Sequence, residues 1–207
     1  MSIAPHTPAS DVAESIPPIV TEKFYTPEEL LTMPDGKAYE LVCGKLVERK
    51  MGAESSRIAQ IINARMEIHA SDNRLGLTWG ADASYRIFGA DATKVRRPDG
   101  SFIARGRLPN DQPPRGHIEI FPDLVVEVVS PHDLAAEVDN KVEEYLQAGV
   151  RLIWVVYPES RHVLVYRSGS VVQRLGVEDE LSGEDVLPEF RLAISTIFPV
   201  VSEAAAE

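Results

Sequence analysis

The chain has 207 residues, 44% hydrophobic and 26% charged, enough for one buried core. No apolar run nears the roughly 20 residues of a membrane-spanning helix, and the single cysteine, Cys43, excludes an intramolecular disulfide. A net charge of −11, from 21 basic and 32 acidic residues, excludes a surface coated in basic charge but leaves room for a local basic site.

The one cysteine suits a reducing compartment and a cytoplasmic location. Residues 1–22 read as a flexible tail: Met1 to Val20 holds four prolines and neither the basic start nor the apolar block of a signal peptide. The domain is expected over 23–200, with a second tail over 201–207. Thr26-Pro27-Glu28-Glu29 sets a capping Thr, a first-turn Pro and a Glu three residues after the cap. The helix it opens stops at Met33-Pro34-Asp35-Gly36, a turn signal. Residues 39–43 and 45–50 read as a β-hairpin turning at Cys43-Gly44.

The spacing of Ile58, Ile61, Ile62, Arg65, Met66 and His69 predicts a helix over 54–71. Short strands follow at 77–80 and 83–88, and a longer one at 95–104 with Pro98-Asp99 inside it. Residues 105–117 hold three prolines and two glycines and read as a loop. Residues 121–129 read as a strand buried on both faces. A helix over 134–148 closes at Gly149, and 151–157 is a second buried strand. That strand, helix, strand order predicts a crossover with parallel pairing. Residues 163–167 and 171–175 read as a hairpin, and an acidic tail from Glu178 carries a last apolar patch at Ile197-Phe198. The fold class is therefore α/β, one domain with no internal repeat.

Glu127 is the most informative residue, a carboxylate within the apolar run 123–129. Burying it unpaired is expensive, so it must neutralise or find a cation. The plainer reading is a strand-end Glu paired with a surface Arg. Asp123 lies roughly 13 Å away along the same strand, too far to share an ion, and reads as the strand's start. Asp99, on a separate strand-like segment, can lie across from Glu127, and two such carboxylates plus waters suit magnesium. Its alternative is an ordinary Pro-Asp-Gly turn. Lys141 lies at about the level of Glu127 if the helix doubles back along the strand, where it could offset charge on a phosphate. Its alternative is a solvated Lys paired with Glu137 or Glu144.

Five segments occur in one order: Tyr39-Glu-Leu-Val-Cys-Gly-Lys-Leu-Val47, Arg97-Pro-Asp99, Pro122-Asp-Leu-Val-Val-Glu-Val-Val-Ser-Pro131, Lys141-Val-Glu-Glu-Tyr145 and Ala148-Gly-Val-Arg-Leu-Ile-Trp-Val-Val156. Over about residues 26–198 the chain resembles the Uma-two family of endonuclease-like proteins, within the PD-(D/E)XK restriction-endonuclease-like superfamily. The resemblance implies a mixed central sheet flanked by helices. It implies Asp99 and Glu127 as metal-binding acids, Lys141 as the catalytic lysine and Glu40 as an additional acid of the site that joins them in holding the metal. It also implies Mg²⁺ or Mn²⁺ as cofactor, DNA as substrate and a homodimer. Three departures stand out. Val129 occupies the usual position of the lysine, so Lys141 must replace it from the helix. Ser55 stands where relatives often have a His, and Gly100 follows Asp99 where an apolar residue is usual.

Between Arg86 and Arg115 seven basic residues (Arg86, Lys94, Arg96, Arg97, Arg105, Arg107, Arg115) outnumber Asp91, Asp99 and Asp111, a local net charge of +4. Lys94, Arg96, Arg97, Arg105, Arg107 and Arg115 are thus candidate phosphate contacts near Asp99; a charged strand edge is the alternative. The leading functional reading is hydrolysis of a DNA phosphodiester by metal-activated water, without a covalent enzyme intermediate. The runner-up is a nuclease-like fold that binds or regulates with weak or no cleavage. A two-carboxylate glycosidase would need an aromatic groove, and only Trp79 and Trp154 are available. A protein-contact scaffold would need an exposed apolar patch.

Overall fold

The computed structural model describes residues 23–169 and 171–198; the tails expected over 1–22 and 201–207 lie outside the described residues. Thr26 caps α1 (Pro27–Thr32): its Oγ1 accepts from Glu29 N at 3.2 Å, and Glu29 Oε2 accepts from Thr26 N at 2.8 Å. This reciprocal pair satisfies two amides that the first turn would otherwise leave open. A 3₁₀ turn at Gly36–Ala38 leads into the hairpin of β1 (Tyr39–Val42) and β2 (Lys45–Glu48), in register from Tyr39↔Glu48 to Val42↔Lys45. Cys43 and Gly44 both take positive φ, 49° and 75°, the backbone that a two-residue hairpin turn demands.

The long helix is α2 (Ala53–Asp72). The main sheet then collects β3 (Gly76–Gly80), β4 (Gly100–Ala104), β5 (Leu124–Val128), β6 (Leu152–Tyr157), β7 (His162–Arg167) and β8 (Gln173–Leu175), in that spatial order. Only β5 and β6 run parallel; the other neighbours are antiparallel, so the sheet is mixed. The crossover between β5 and β6 is α3 (Ala135–Ala148), ended by Gly149 at φ 103°. The six-stranded mixed sheet flanked by helices is the architecture that the resemblance implies.

Strand alternation sorts the core into two layers. Leu124, Val126 and Val128 of β5 pack with Ile58, Ile62 and Met66 of α2. Val125 packs on the opposite face with Val138, Val142 and Tyr145 of α3. Burying each such side chain contributes about 1.5–3 kcal/mol. Ile61 and His69 are only half-buried on α2 and Arg65 is exposed, so its buried stripe is narrower than the sequence spacing suggests.

Three elements differ from expectation. The run 95–104 is a strand only from Gly100, because Pro98 has no N–H for the ladder; Val95 and Arg96 instead make isolated bridges to Leu41 and Tyr85. Residues 83–88 contribute only those bridges at Tyr85. The acidic segment after Glu178 forms β9 (Glu180–Ser182) and β10 (Arg191–Ala193), an antiparallel pair. Its Leu181, Leu187, Phe190, Ile194 and Ile197 join the α2 layer of the core. No helix among the described residues is long and apolar enough to cross a membrane.

Candidate active site

Glu127 shares the α3 face of β5 with Val125, because the two are separated by one strand period. Its carboxylate therefore meets α3 rather than solvent. Lys141 Nζ lies 3.2 Å from Glu127 Oε2, and Tyr145 OH donates to Oε1 at 2.9 Å. Lys141 and Tyr145 are four residues apart on one helix, hence on one face. Glu144, the Lys partner in the alternative reading, is engaged by Lys94 and Arg96.

Asp99 comes from the segment before β4. Continuing the β4–β5 register one step past Gly100↔Val126 sets it opposite Glu127. Its Oδ2 accepts from Val128 N at 2.8 Å. Glu40 arrives from β1: Leu41 turns into a small cluster with Leu30 and Val95, which leaves Glu40 on the other face. There Glu40 Oε1 lies 3.3 Å from Lys141 Nζ and accepts from Arg97 N at 2.8 Å, while Oε2 accepts from Arg96 Nη1 at 2.9 Å. The structure thus brings Glu40, Asp99, Glu127 and Lys141 together, on the floor of a cavity of about 270 Å³ between the β1–β2 hairpin and α3.

Burial dominates the electrostatics. It pushes Glu127 up to about 7, against the pull of Lys141 and with the help of the Asp99 and Glu40 charges. Burial also raises Asp99, outweighing the Val128 amide and the Lys141 and Arg49 cations. Glu40 goes the other way. Burial would raise it, but Lys141, Arg96 and the Arg97 amide together hold it below the ordinary carboxylate range. Burial also works against a charged Lys141, yet Glu127, Glu40 and Asp99 prevail and hold its pKa above the usual lysine value. Lys141 is therefore a permanent cation. Burial, with the Glu127 and Glu40 charges, keeps the Tyr145 phenol protonated as a donor.

Among the described residues, no cluster of three or more His, Cys, Asp and Glu is arranged to cage a metal ion. Glu40 has both oxygens engaged by Arg96, Arg97 and Lys141. Asp99 and Glu127 are engaged as well, by Val128 N and Arg49 and by Tyr145 and Lys141, but unlike Glu40 both are shifted upward, so they are the hard oxygen donors whose charge a divalent ion would offset. Two carboxylates opening on a cavity match Mg²⁺, which keeps most of its waters.

The expected basic surface does not assemble around Asp99. Arg96 and Arg97 are buried, 7% and 4% exposed. Arg96 binds Glu40 and Glu144, and Arg97 donates to the carbonyls of Tyr39 and Asp82. Lys94 binds Glu144 at 2.6 Å. Arg105 and Arg107 follow the far end of β4, about 20 Å from Asp99 at 3.4 Å per residue. There Arg107 Nη1 meets Asp123 Oδ2 at 2.7 Å, and Arg105 Nε lies 3.5 Å from Asp111. Arg115 is exposed on the loop and does not line the cavity. The segment is basic in sequence, but burial and strand length disperse its charge. Asp123 also accepts from Ala104 N at 2.8 Å, a structural role at the strand's start.

Four residues of the site were not singled out by the sequence. Tyr145 was legible only as part of the family motif. Arg49 Nη2 lies 3.3 Å from Asp99 Oδ1, across a sequence gap that no pattern bridges. Asn63 of α2 donates Nδ2 to Asp99 O at 2.8 Å. Gly100 makes room for it: a Cβ there would lie 2.1 Å from Asn63 Oδ1. Gly100 therefore admits the side chain that holds the Asp99 backbone. Ser130 Oγ donates to Ser55 Oγ at 3.1 Å, and Ser55 Oγ donates to Val129 O at 3.3 Å. Ser55 thus ties α2 to the end of β5 by neutral hydroxyls at the position where the family resemblance suggests a His.

Comparison with known proteins adds two findings. The family model Uma2, described as "Putative restriction endonuclease", matches residues 27–195. A crystal structure from Anabaena variabilis, of "a putative nuclease belonging to DUF820", shares the fold with a TM-score of 0.70 and 21% identity, over 84% of this chain and 97% of that one. No curated protein matches the chain.

Proposed function

Because the chain belongs to the Uma2 family, described as "Putative restriction endonuclease", we propose that it is a divalent-metal-dependent nuclease that hydrolyses DNA phosphodiester bonds. The observation that carries this reading is Lys141 Nζ, 3.3 Å from Glu40 and 3.2 Å from Glu127, on the floor of the cavity that Asp99 also lines. Asp99 and Glu127 would hold Mg²⁺ or Mn²⁺. When bound, such an ion supplies an acidified water and polarises the scissile phosphate. Lys141 stays protonated, so it cannot take the water's proton; it offsets negative charge growing on the phosphate. Glu40 holds Lys141 in place through its own bonds to Arg96 and the Arg97 amide. Tyr145, from the same helix face, fixes the Glu127 carboxylate through its other oxygen.

Among the described residues the cavity lining includes no histidine, and its Ser130 hydroxyl is spent on Ser55. That favours direct attack by water over a serine nucleophile. A homodimer, giving one site for each strand, and a cytoplasmic location belong to the same reading. One observation favours a binding or regulatory module with weak cleavage instead: Arg49 already occupies Asp99. Purified protein should be incubated with supercoiled plasmid and single-stranded DNA in Mg²⁺, Mn²⁺ or EDTA, beside Asp99→Ala, Glu127→Ala and Lys141→Ala. Metal-dependent cleavage lost in all three variants is the expected result. Cleavage retained by the variants would place the site wrongly, and DNA binding without cleavage would favour the module.

A further inference from the structure

Arg49 stands apart from the other arginines of this region. Its backbone N–H donates to Ala38 O at 2.9 Å and continues the β1–β2 ladder one step beyond Tyr39↔Glu48. That pairing turns the side chain inward, 14% exposed, to line the cavity. A guanidinium carries five N–H donors in a planar fork. Arg96 and Arg97 each spend theirs on two or more protein acceptors. Among the described residues the Arg49 side chain has one hydrogen-bond acceptor, Asp99 Oδ1, at a long 3.3 Å. The residue lines the cavity beside Asp99 and Glu127, with further N–H donors that make no side-chain hydrogen bond among the described residues. A cation with spare donors in such a place is matched to a tetrahedral oxyanion.

We propose that Arg49 is a substrate-contacting residue that exchanges Asp99 for a non-bridging oxygen of the phosphodiester. This rests on Asp99 and Glu127 being the metal-holding pair. Arg49 gives up Asp99 when that carboxylate turns to the metal, and passes its N–H donors to the phosphate in the same cavity. Without nucleic acid Arg49 competes with the metal for Asp99, and with nucleic acid it joins the metal in holding the phosphate. One side chain thereby makes metal and substrate binding cooperative.

The two roles predict effects of opposite sign. Mn²⁺ binding to the full chain without nucleic acid is measured by calorimetry for wild type, Arg49→Met, Arg49→Lys and Asp99→Asn. Cleavage of a single-stranded oligonucleotide is measured with Mg²⁺ for the same set. Arg49→Met should bind Mn²⁺ about 2- to 5-fold tighter, the value of one partly exposed ion pair. Its kcat/KM should fall about 10- to 100-fold for the lost charged hydrogen bond, chiefly through KM. Arg49→Lys should recover part of both. Unchanged or weaker Mn²⁺ binding in Arg49→Met, or a kcat/KM within about twofold of wild type, overturns the exchange while leaving the metal pair intact. Equal Mn²⁺ binding by wild type and Asp99→Asn, or none by either, overturns the metal pair and the exchange with it.

Discussion

Glu127→Gln removes a charge that the fold itself holds at a disadvantage. In the unfolded chain the carboxyl titrates near its ordinary 4.5, and in the folded protein near 7. Below about pH 4.5 both states carry the proton and stability is at its full value. Between the two values the unfolded chain has released its proton while the folded one keeps it, so stability falls as pH rises. Above about 7 both are ionised and the deficit stays constant. At about 1.4 kcal/mol per pH unit the window amounts to about 3 kcal/mol. Gln keeps the shape; its Oε1 can accept from Lys141 while its Nε2 donates to the Tyr145 hydroxyl oxygen, and Lys141 retains Glu40 as its counterion. Urea unfolding of both proteins is followed from pH 4 to 8.5 by the fluorescence of Trp154, which is fully buried. The variant should match the wild type at pH 4 and exceed it by about 3 kcal/mol at pH 8, with the change falling between. The difference cancels the titration of distant groups, and relief of Asp99 adds to it with the same sign. A gap that is flat with pH, or a variant less stable at pH 8, would refute the reasoning.

Three further outcomes follow from the same contacts. Lys141→Met leaves Glu40 and Glu127 buried without their shared cation and should cost about 3–5 kcal/mol at pH 8; urea unfolding at pH 8 and 5 should show a smaller loss at pH 5, where Glu127 is already protonated. Arg96→Ala opens the Glu40–Arg96–Glu144 link and should destabilise by a similar amount in urea unfolding at pH 8, and Arg96→Lys should not restore it. Gly100→Ala drives a Cβ onto Asn63 Oδ1 and should cost about 1–3 kcal/mol, most of which Asn63→Ala in the same chain should return. A double-mutant cycle by thermal unfolding reads that coupling directly.

Much of this molecule is local and was legible along the chain. The Thr26 capping box, the Cys43-Gly44 turn, the run 124–128 and the Gly149 stop each depend on neighbours within a few residues, so composition and period sufficed. Glu127 announced itself because a carboxylate among valines is anomalous wherever the strand goes. Lys141 followed from the rise of a helix set against the rise of a strand, and the family motif joined both to Asp99 and Glu40. The segment after Glu178 reads as an acidic tail because its acidic surface residues mask the apolar ones that β9 and β10 turn inward.

The arrangement of charge was decided only in three dimensions. Lys94, Arg96, Arg97, Arg105 and Arg107 are close in sequence, but Pro98 breaks one strand and β4 then carries the chain about 20 Å from Asp99. Two arginines consequently became interior struts and two went to the opposite end of the sheet. Arg49 and Asn63 reached Asp99 from a hairpin and a helix that have no sequence relation to it. The rise of Glu127 toward neutrality is likewise a property of the assembled site, since it is set by how much water the surrounding elements exclude. The sequence by itself determined the elements and the odd residues within them, because those depend on short-range periodicity. Register and desolvation, which act between elements, decided which charges meet and which remain free to hold a ligand.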